Sequence, residues 1–286
     1  MNNLSSNSVV FPLQVLILAI RRFSVKGGFI MSSHVAMSMM LALFPFILFV
    51  VALAGTLSQN LVTDDLIELI FGSWPDAVAE PIISELHAVL AGATPGVMTV
   101  GGLLAIYFAS NGVDAVRAAM TLAYHDTDNR PFWKTRLLCL GVVIAGGGIL
   151  MGTALIEVVF PVYYTLVNDV IPGETPEWLS LERLSLIFIV AIPAGGVVAC
   201  HTLLPAQRHS LAQIFPGVLL TLVLWATAGW GFSVYIGKFA SYSATYAGLA
   251  GVMAALIFLY LNAAILIFGA EFNGALMELK KNHTAG

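Results

Sequence analysis

The chain has 286 residues, of which 59% are hydrophobic and only 10% charged, with a mean hydropathy of +0.91 and a formal net charge of −4. Soluble domains carry charge on about a quarter of their residues, so a water-soluble globular protein is excluded. The apolar runs are long and continuous rather than short and alternating, which excludes a β-barrel and predicts an all-α, polytopic membrane bundle.

Residues 1–29 read as a cytoplasmic segment containing an interfacial helix over Val9–Lys26. The apolar part, Val9–Ile20, is followed rather than preceded by charge (Arg21, Arg22, Lys26). That is the reverse of a signal peptide, and the stretch is too short to span. A membrane domain is expected over 30–276, followed by a cytoplasmic tail, 277–286. A helix needs about 20 residues to cross about 30 Å of hydrocarbon. Six stretches meet that length: Ile30–Thr56, Val97–Leu122, Leu137–Val167, Leu184–Leu204, Leu211–Ile236 and Tyr246–Ala270.

Ten of the twelve Lys and Arg residues then fall on one side, and only Arg183 and Lys238 on the other. The positive-inside rule predicts six spans with both termini in the cytoplasm, as in a bacterial inner-membrane protein. The first outer loop carries Asp64, Asp65, Glu68, Asp76, Glu80 and Glu85 with no Lys or Arg, in an amphipathic pattern. Two short extracytoplasmic helices are expected there.

Three stretches resemble a known family when taken in order: LALFPFILFVVALAG in span 1, GGLLAIYFASNGVDAVRAAMTLAYHDTDNRPFWKTR in span 2 and its loop, and IFPGVLLTLVLW through GAEFNGAL in spans 5 and 6. The last follows a PG…LW…F..Y…Y…Y…GAE.N pattern. The chain is identified as resembling the YihY/BrkB family of bacterial membrane proteins over about Arg21 to Leu276. It departs from the family at Phe258 and Tyr107, where Trp is usual, at Thr121, where Asn is common, and at Tyr246-Ala247-Gly248. The resemblance implies the same six-span fold. It also brings an old ribonuclease label that the sequence does not support: there is no basic groove, no His/Asp metal cluster and little soluble chain for RNA. Nucleic acid is therefore not an expected partner.

Charged groups inside a bilayer cost about 2.5–3.5 kcal/mol each on insertion scales, so each needs a reason. Asn111, Asp114 and Arg117 fall within one roughly 120° sector of span 2. Glu271 lies at the inner end of span 6 and shares a face with Tyr260; Ser32, Ser33 and His34 of span 1 lie at similar depth. A polar cluster of His34, Asn111, Asp114, Arg117, Tyr260 and Glu271 in the cytoplasmic half of the bundle is the sharpest expectation. Glu271 could form an ion pair with Arg117, serve a substrate or proton, or be a solvated helix end. Glu157 reads as an outer-edge residue of span 3.

Pro45 and Pro193 each deprive a carbonyl one turn back, at Leu41 and Ile189, of its usual donor. Such breaks are a pointer to inverted-repeat transporters. Gly148 and Gly152 have the spacing of a helix contact face. Cys139 and Cys200 are expected to be free thiols.

No metal or cofactor is expected, and P-loop and intramembrane-protease motifs are absent. The expected partners are the lipid bilayer and a small solute or lipid, with oligomeric state undetermined by sequence. The function classes that survive are a transporter or lipid- or solute-handling protein and a non-transporting scaffold or envelope assembly factor; an enzyme is disfavoured.

Overall fold

A computed structural model describes residues 4–57, 83–84, 95–124, 126–149, 152, 181–239 and 247–285. Among the described residues all secondary structure is helical. In chain order the helices are α1 (Leu4–Val25), α2 (Gly28–Leu57), α3 (Pro95–Ala123), α4 (Phe132–Ile149), α5 (Leu181–Leu203), α6 (Leu211–Phe239) and α7 (Ala247–Ala285). By length and composition, four segments of the described residues are able to cross a membrane: Thr99–Ala123, Phe132–Ile149, Leu211–Tyr235 and Val252–Asn282. Gly28–Ala42 and Val190–Leu203 are shorter apolar segments within α2 and α5. The acidic loop expected to form short outer helices lies outside the described residues except for 83–84, and Glu157 lies outside them as well.

α1 and α2 are separated by a tight turn at Gly27, whose φ of 76° is in the left-handed region that a side chain disfavours. Lys26 N–H closes the end of α1 on Arg22 O, and Met31 N–H opens α2 on Gly27 O. A Cβ at Gly28 would enter the Phe23 ring, so the reversal brings α2 directly against α1. Phe23 in turn stacks edge-on against Phe29 and Phe268.

Ser210 begins α6 as an N-cap. Its carbonyl accepts from Gln213 and Ile214 N–H, while its own N–H donates to Gln213 Oε1. This reciprocal arrangement satisfies groups that a helix start leaves orphaned.

The prolines do not end their helices: α2 continues through Pro45, α5 through Pro193 and α6 through Pro216. α7 has 39 residues, about 58 Å at 1.5 Å per residue, so it extends well beyond the apolar stretch ending near Ala270.

The main core gathers Phe23 of α1, Val35 of α2, Val116 and Met120 of α3, Val197 of α5, Ile214 and Val218 of α6, and Leu266, Ile267 and Ala270 of α7. A second, smaller core seats Val15 and Ala19 of α1 on Ala275 of α7. Both cores lie where the α1–α2 turn, the α3–α4 loop and the α5–α6 connection meet α7, so these form one end of the bundle.

Outside the cores, large apolar side chains face outward, as lipid solvation requires. Trp133, at the start of α4, is 75% exposed beside the equally outward Phe132. That is the placement of an interfacial aromatic anchor. Gly148 near the end of α4 and Gly152 beyond it have open surroundings among the described residues. A Cβ at either position would meet nothing within 4 Å there.

Candidate functional site

Close approach of α6 and α7 builds the centre of the polar end. A Cβ at Gly217 would collide with Gly269 O and the Asn273 side chain. A Cβ at Gly269 would collide with Thr221 Oγ1 and Gly217 O. Only paired glycines allow the two backbones this contact.

The contact lets Asn273, fully buried on α7, reach across. Its Oδ1 accepts from Gly217 N–H at 2.7 Å, and its Nδ2 donates to Ile214 O at 2.8 Å and to Tyr124 OH at 3.0 Å. Gly217 N–H can only donate, so it fixes the orientation of the amide. Tyr124 OH accepts from Asn273 and also shares a hydrogen bond with His201 Nδ1, 2.6 Å away. His201 Nε2 is a buried atom without a hydrogen-bond partner. Tyr124 ends α3, and burial pushes its phenol well above the usual range, with the Asn273 hydrogen bond acting in the opposite direction.

The α3–α4 loop is latched beside this group. Arg117 pairs with Asp114 at 2.7 Å and with Asp128. Arg130 pairs with Asp128 at 2.9 Å and also donates to Leu204 O, just beyond the end of α5, at 2.9 Å. A cation there satisfies an orphan carbonyl and complements the helix dipole. Asp126 Oδ2 accepts Gln207 N–H at 3.0 Å and faces His209, whose ring stacks on Tyr124. Hydrogen bonds from Arg130 hold the Asp128 carboxyl below the usual carboxylate range, with the Arg117 and Arg130 charges adding to the effect.

The expected polar cluster is thus divided in two. Asn111, Asp114 and Arg117 belong to the latch. Asn111 Oδ1 accepts from Arg136 of α4 at 2.7 Å, and Arg136 also covers the Tyr107 ring at 4.8 Å. Cys139 Sγ lies 3.8 Å from Asp114 Oδ1; Cys139 and Cys200 are both free thiols.

Glu271 stands apart from Arg117. It is 2% exposed, so it is not a solvated helix end, and its Oε2 has no hydrogen-bond partner. The cations whose fields act on it are Lys26 and Arg22. Arg22 pairs through Nη2 with Glu278, two turns beyond Glu271 on α7. Arg22 Nη1 is buried and unpartnered. Burial holds Lys26 below its usual range, and the field of Glu271 opposes that shift. His34 is exposed on α2 and Tyr260 is half-buried on α7. Neither joins the network around Asn273.

Tyr124, His201, Thr221, Gly217 and Asn273 are not singled out by spacing, because the contacts that join them across helices link residues 48 to 149 positions apart. The available signal was the PG…GAE.N pattern, which contains both Gly217 and Asn273. Among the described residues no group of three or more His, Cys, Asp or Glu is placed to hold a metal ion.

The family model described as Virulence factor BrkB matches residues 19–285. The chain belongs to that family. It is 29% identical to YfkH of Bacillus subtilis, a protein named as ribonuclease-like, over 91% of this chain and 94% of that one. It is 26% identical to a UPF0761 membrane protein of Pseudoalteromonas translucida, over 51% of this chain and 44% of that one. A UPF0761 membrane protein of Aeromonas salmonicida is also 26% identical, over 59% of this chain and 56% of that one. The chain thus spans nearly all of the Bacillus relative and about half the length of the other two. No solved structure matches. BrkB-family chains are membrane proteins, and the apolar helices described above agree with a multi-pass arrangement.

Proposed function

We propose that this BrkB-family chain is a six-span inner-membrane transporter or lipid- or solute-handling protein with both termini cytoplasmic. Its working site is the polar end of the bundle. The observation that carries the reading is Glu271: a carboxylate 2% exposed within an apolar helix, with one oxygen unpartnered. A buried acid is costly unless neutralised or used, and intramembrane acids mark solute, lipid or proton pathways. The orientation follows from the basic residues. Arg22, Lys26, Arg117 and Arg130 all contribute to the same end, which the positive-inside rule puts in the cytoplasm. Ribonuclease chemistry forms no part of the reading: the polar groups lie inside the bundle rather than on a basic groove.

The test is flux in proteoliposomes of the full chain, read by release of trapped pyranine-reported protons and by translocation of fluorescent phospholipids. Glu271→Gln should abolish the activity or its pH dependence. Unchanged flux and pH profile in this variant would end the reading.

The second reading, a membrane scaffold or assembly factor, is favoured by Arg117, which is held by Asp114 of its own helix and Asp128 of the α3–α4 loop as a purely structural tie would be. It predicts no flux in either protein.

A further inference from the structure

The α1–α7 junction contains two unmet hydrogen-bonding needs of opposite kind. Arg22 presents a buried donor, Nη1, and Glu271 a buried acceptor, Oε2. The Arg22 side chain is 11% exposed, so bulk water does little to satisfy it. The two residues lie within each other's field. Native interiors rarely leave such groups unpaired, and a donor and an acceptor orphaned together point to a missing molecule that supplies both counterparts.

Charge narrows its chemistry. Arg22 and Lys26 face Glu271 and Glu278, two cations against two anions. A ligand of large net charge would upset that balance, whereas a zwitterion preserves it. An oxyanion suits the guanidinium, which already spends Nη2 on Glu278 and keeps Nη1 for a second oxygen. An N–H cation suits Glu271 Oε2.

The surroundings narrow the source. Ile17, Ile20 and Val25 of α1 and Phe29 and Ile30 of α2 point outward beside the junction, with Ile30 74% exposed. Such surface is solvated by acyl chains, so the ligand's polar part meets the site while its apolar part lies along α1 and α2.

We propose that the α1–α7 junction binds the phosphoethanolamine headgroup of a phospholipid, with the phosphate on Arg22 and the ammonium on Glu271. This rests on the lipid-handling form of the proposed function and names its lipid class. A choline headgroup has no N–H for Glu271, and a glycerol headgroup has no cation. A lone bridging water would satisfy the same atoms without discriminating among lipids.

The experiment is lipid retention by the purified full chain, measured by native mass spectrometry after equilibration in equimolar phosphatidylethanolamine, phosphatidylcholine and phosphatidylglycerol. The wild type should retain phosphatidylethanolamine about tenfold or more over either competitor, the range set by one charge-assisted hydrogen bond. Glu271→Gln should bring phosphatidylethanolamine down to the phosphatidylcholine level, and Arg22→Gln should lower all three. Glu278→Gln breaks the same Arg22 ion pair but should keep the preference, which separates lost structure from a lost ligand contact. If Arg22→Gln does not fold, the contrast between Glu271→Gln and Glu278→Gln still decides.

Equal retention of the three lipids by the wild type, as a bound water alone would give, overturns the proposal. So does a preference that survives in Glu271→Gln. Displacement of the lipid by soluble phosphoethanolamine at matched concentration overturns the lipid source. Absent preference with intact, Glu271-dependent flux would remove the headgroup assignment and leave the transport reading standing.

Discussion

Two polar regions share one end of this bundle, and they are built differently. Around Asn273 and along the α3–α4 loop, the charged and amide groups are paired: Asn273 holds three elements together, and Asp128 is held by two arginines. At the α1–α7 junction, Glu271 and Arg22 each keep an unsatisfied buried atom. The first region has the pairing of a structural lock. The second has the unmet pairing of a site that waits for something. His201 Nε2, His209 Nε2 and Thr121 Oγ1 are the exceptions in the first region, buried atoms without a hydrogen-bond partner beside the Asn273 bonds and the loop ion pairs. The lesson is that burial of charge alone does not separate structure from function; the state of its hydrogen bonds does.

The comparison makes graded predictions about folding. The largest effect belongs to Asn273→Ala, which removes the side-chain partner of Gly217 N–H and Ile214 O and one of the two partners of Tyr124 OH. At about 1–3 kcal/mol per buried orphan, the loss should be about 3 kcal/mol or more. It would be read as a lower unfolding midpoint or loss of monodisperse protein. Gly217→Ala comes next. Its Cβ would meet the Gly269 backbone, which cannot move aside as a side chain could, so overpacking should cost about 1–3 kcal/mol. If either variant were as stable as wild type, the lock would not be a lock.

Asp128→Asn should cost about 1–2 kcal/mol, because it weakens charge-assisted bonds to Arg117 and Arg130 in a partly exposed loop. The same residue gives a pH signature. Its folded-state pKa is depressed, so its contribution is complete above the unfolded carboxylate value near 3.8 and is lost as pH falls through the folded value. Wild-type stability should therefore fall more steeply than that of Asp128→Asn as pH drops below about 4, as thermal melts in buffered detergent would show. Parallel curves would exclude this contribution.

Much of the fold was legible because it follows from the solvent. Apolar length marked the helices, and α2, α3, α5 and α6 begin and end within a few residues of the apolar stretches. α7 runs on to Ala285 because its polar last turns pack on α1 through Glu278 and Ala275, a tertiary contact that hydropathy cannot register. Site residues were legible one at a time but not as pairs. Glu271 stood out as an acid in an apolar run, yet its neighbours proved to be Lys26 and Arg22, some 250 positions away, rather than Arg117 at a similar depth. Depth along a helix fixes only one coordinate; the direction each face points is set by packing. Asn273 looked ordinary for the same reason, since its value lies in reaching a backbone that only Gly217 brings within range.

The smallest predicted stability effect is also the most direct test of the central claim, that the unpaired region is a site and the paired region a lock. It is the unfolding midpoint of Glu271→Gln, measured beside wild type and Asn273→Ala in the same nanodiscs. Removing a buried charge with an orphan oxygen relieves desolvation while giving up the field of Lys26 and Arg22, so the midpoint should stay within about 1 kcal/mol of wild type or rise. A drop as large as that of Asn273→Ala would show that Glu271 holds the fold together, and would contradict the division of this end into lock and site.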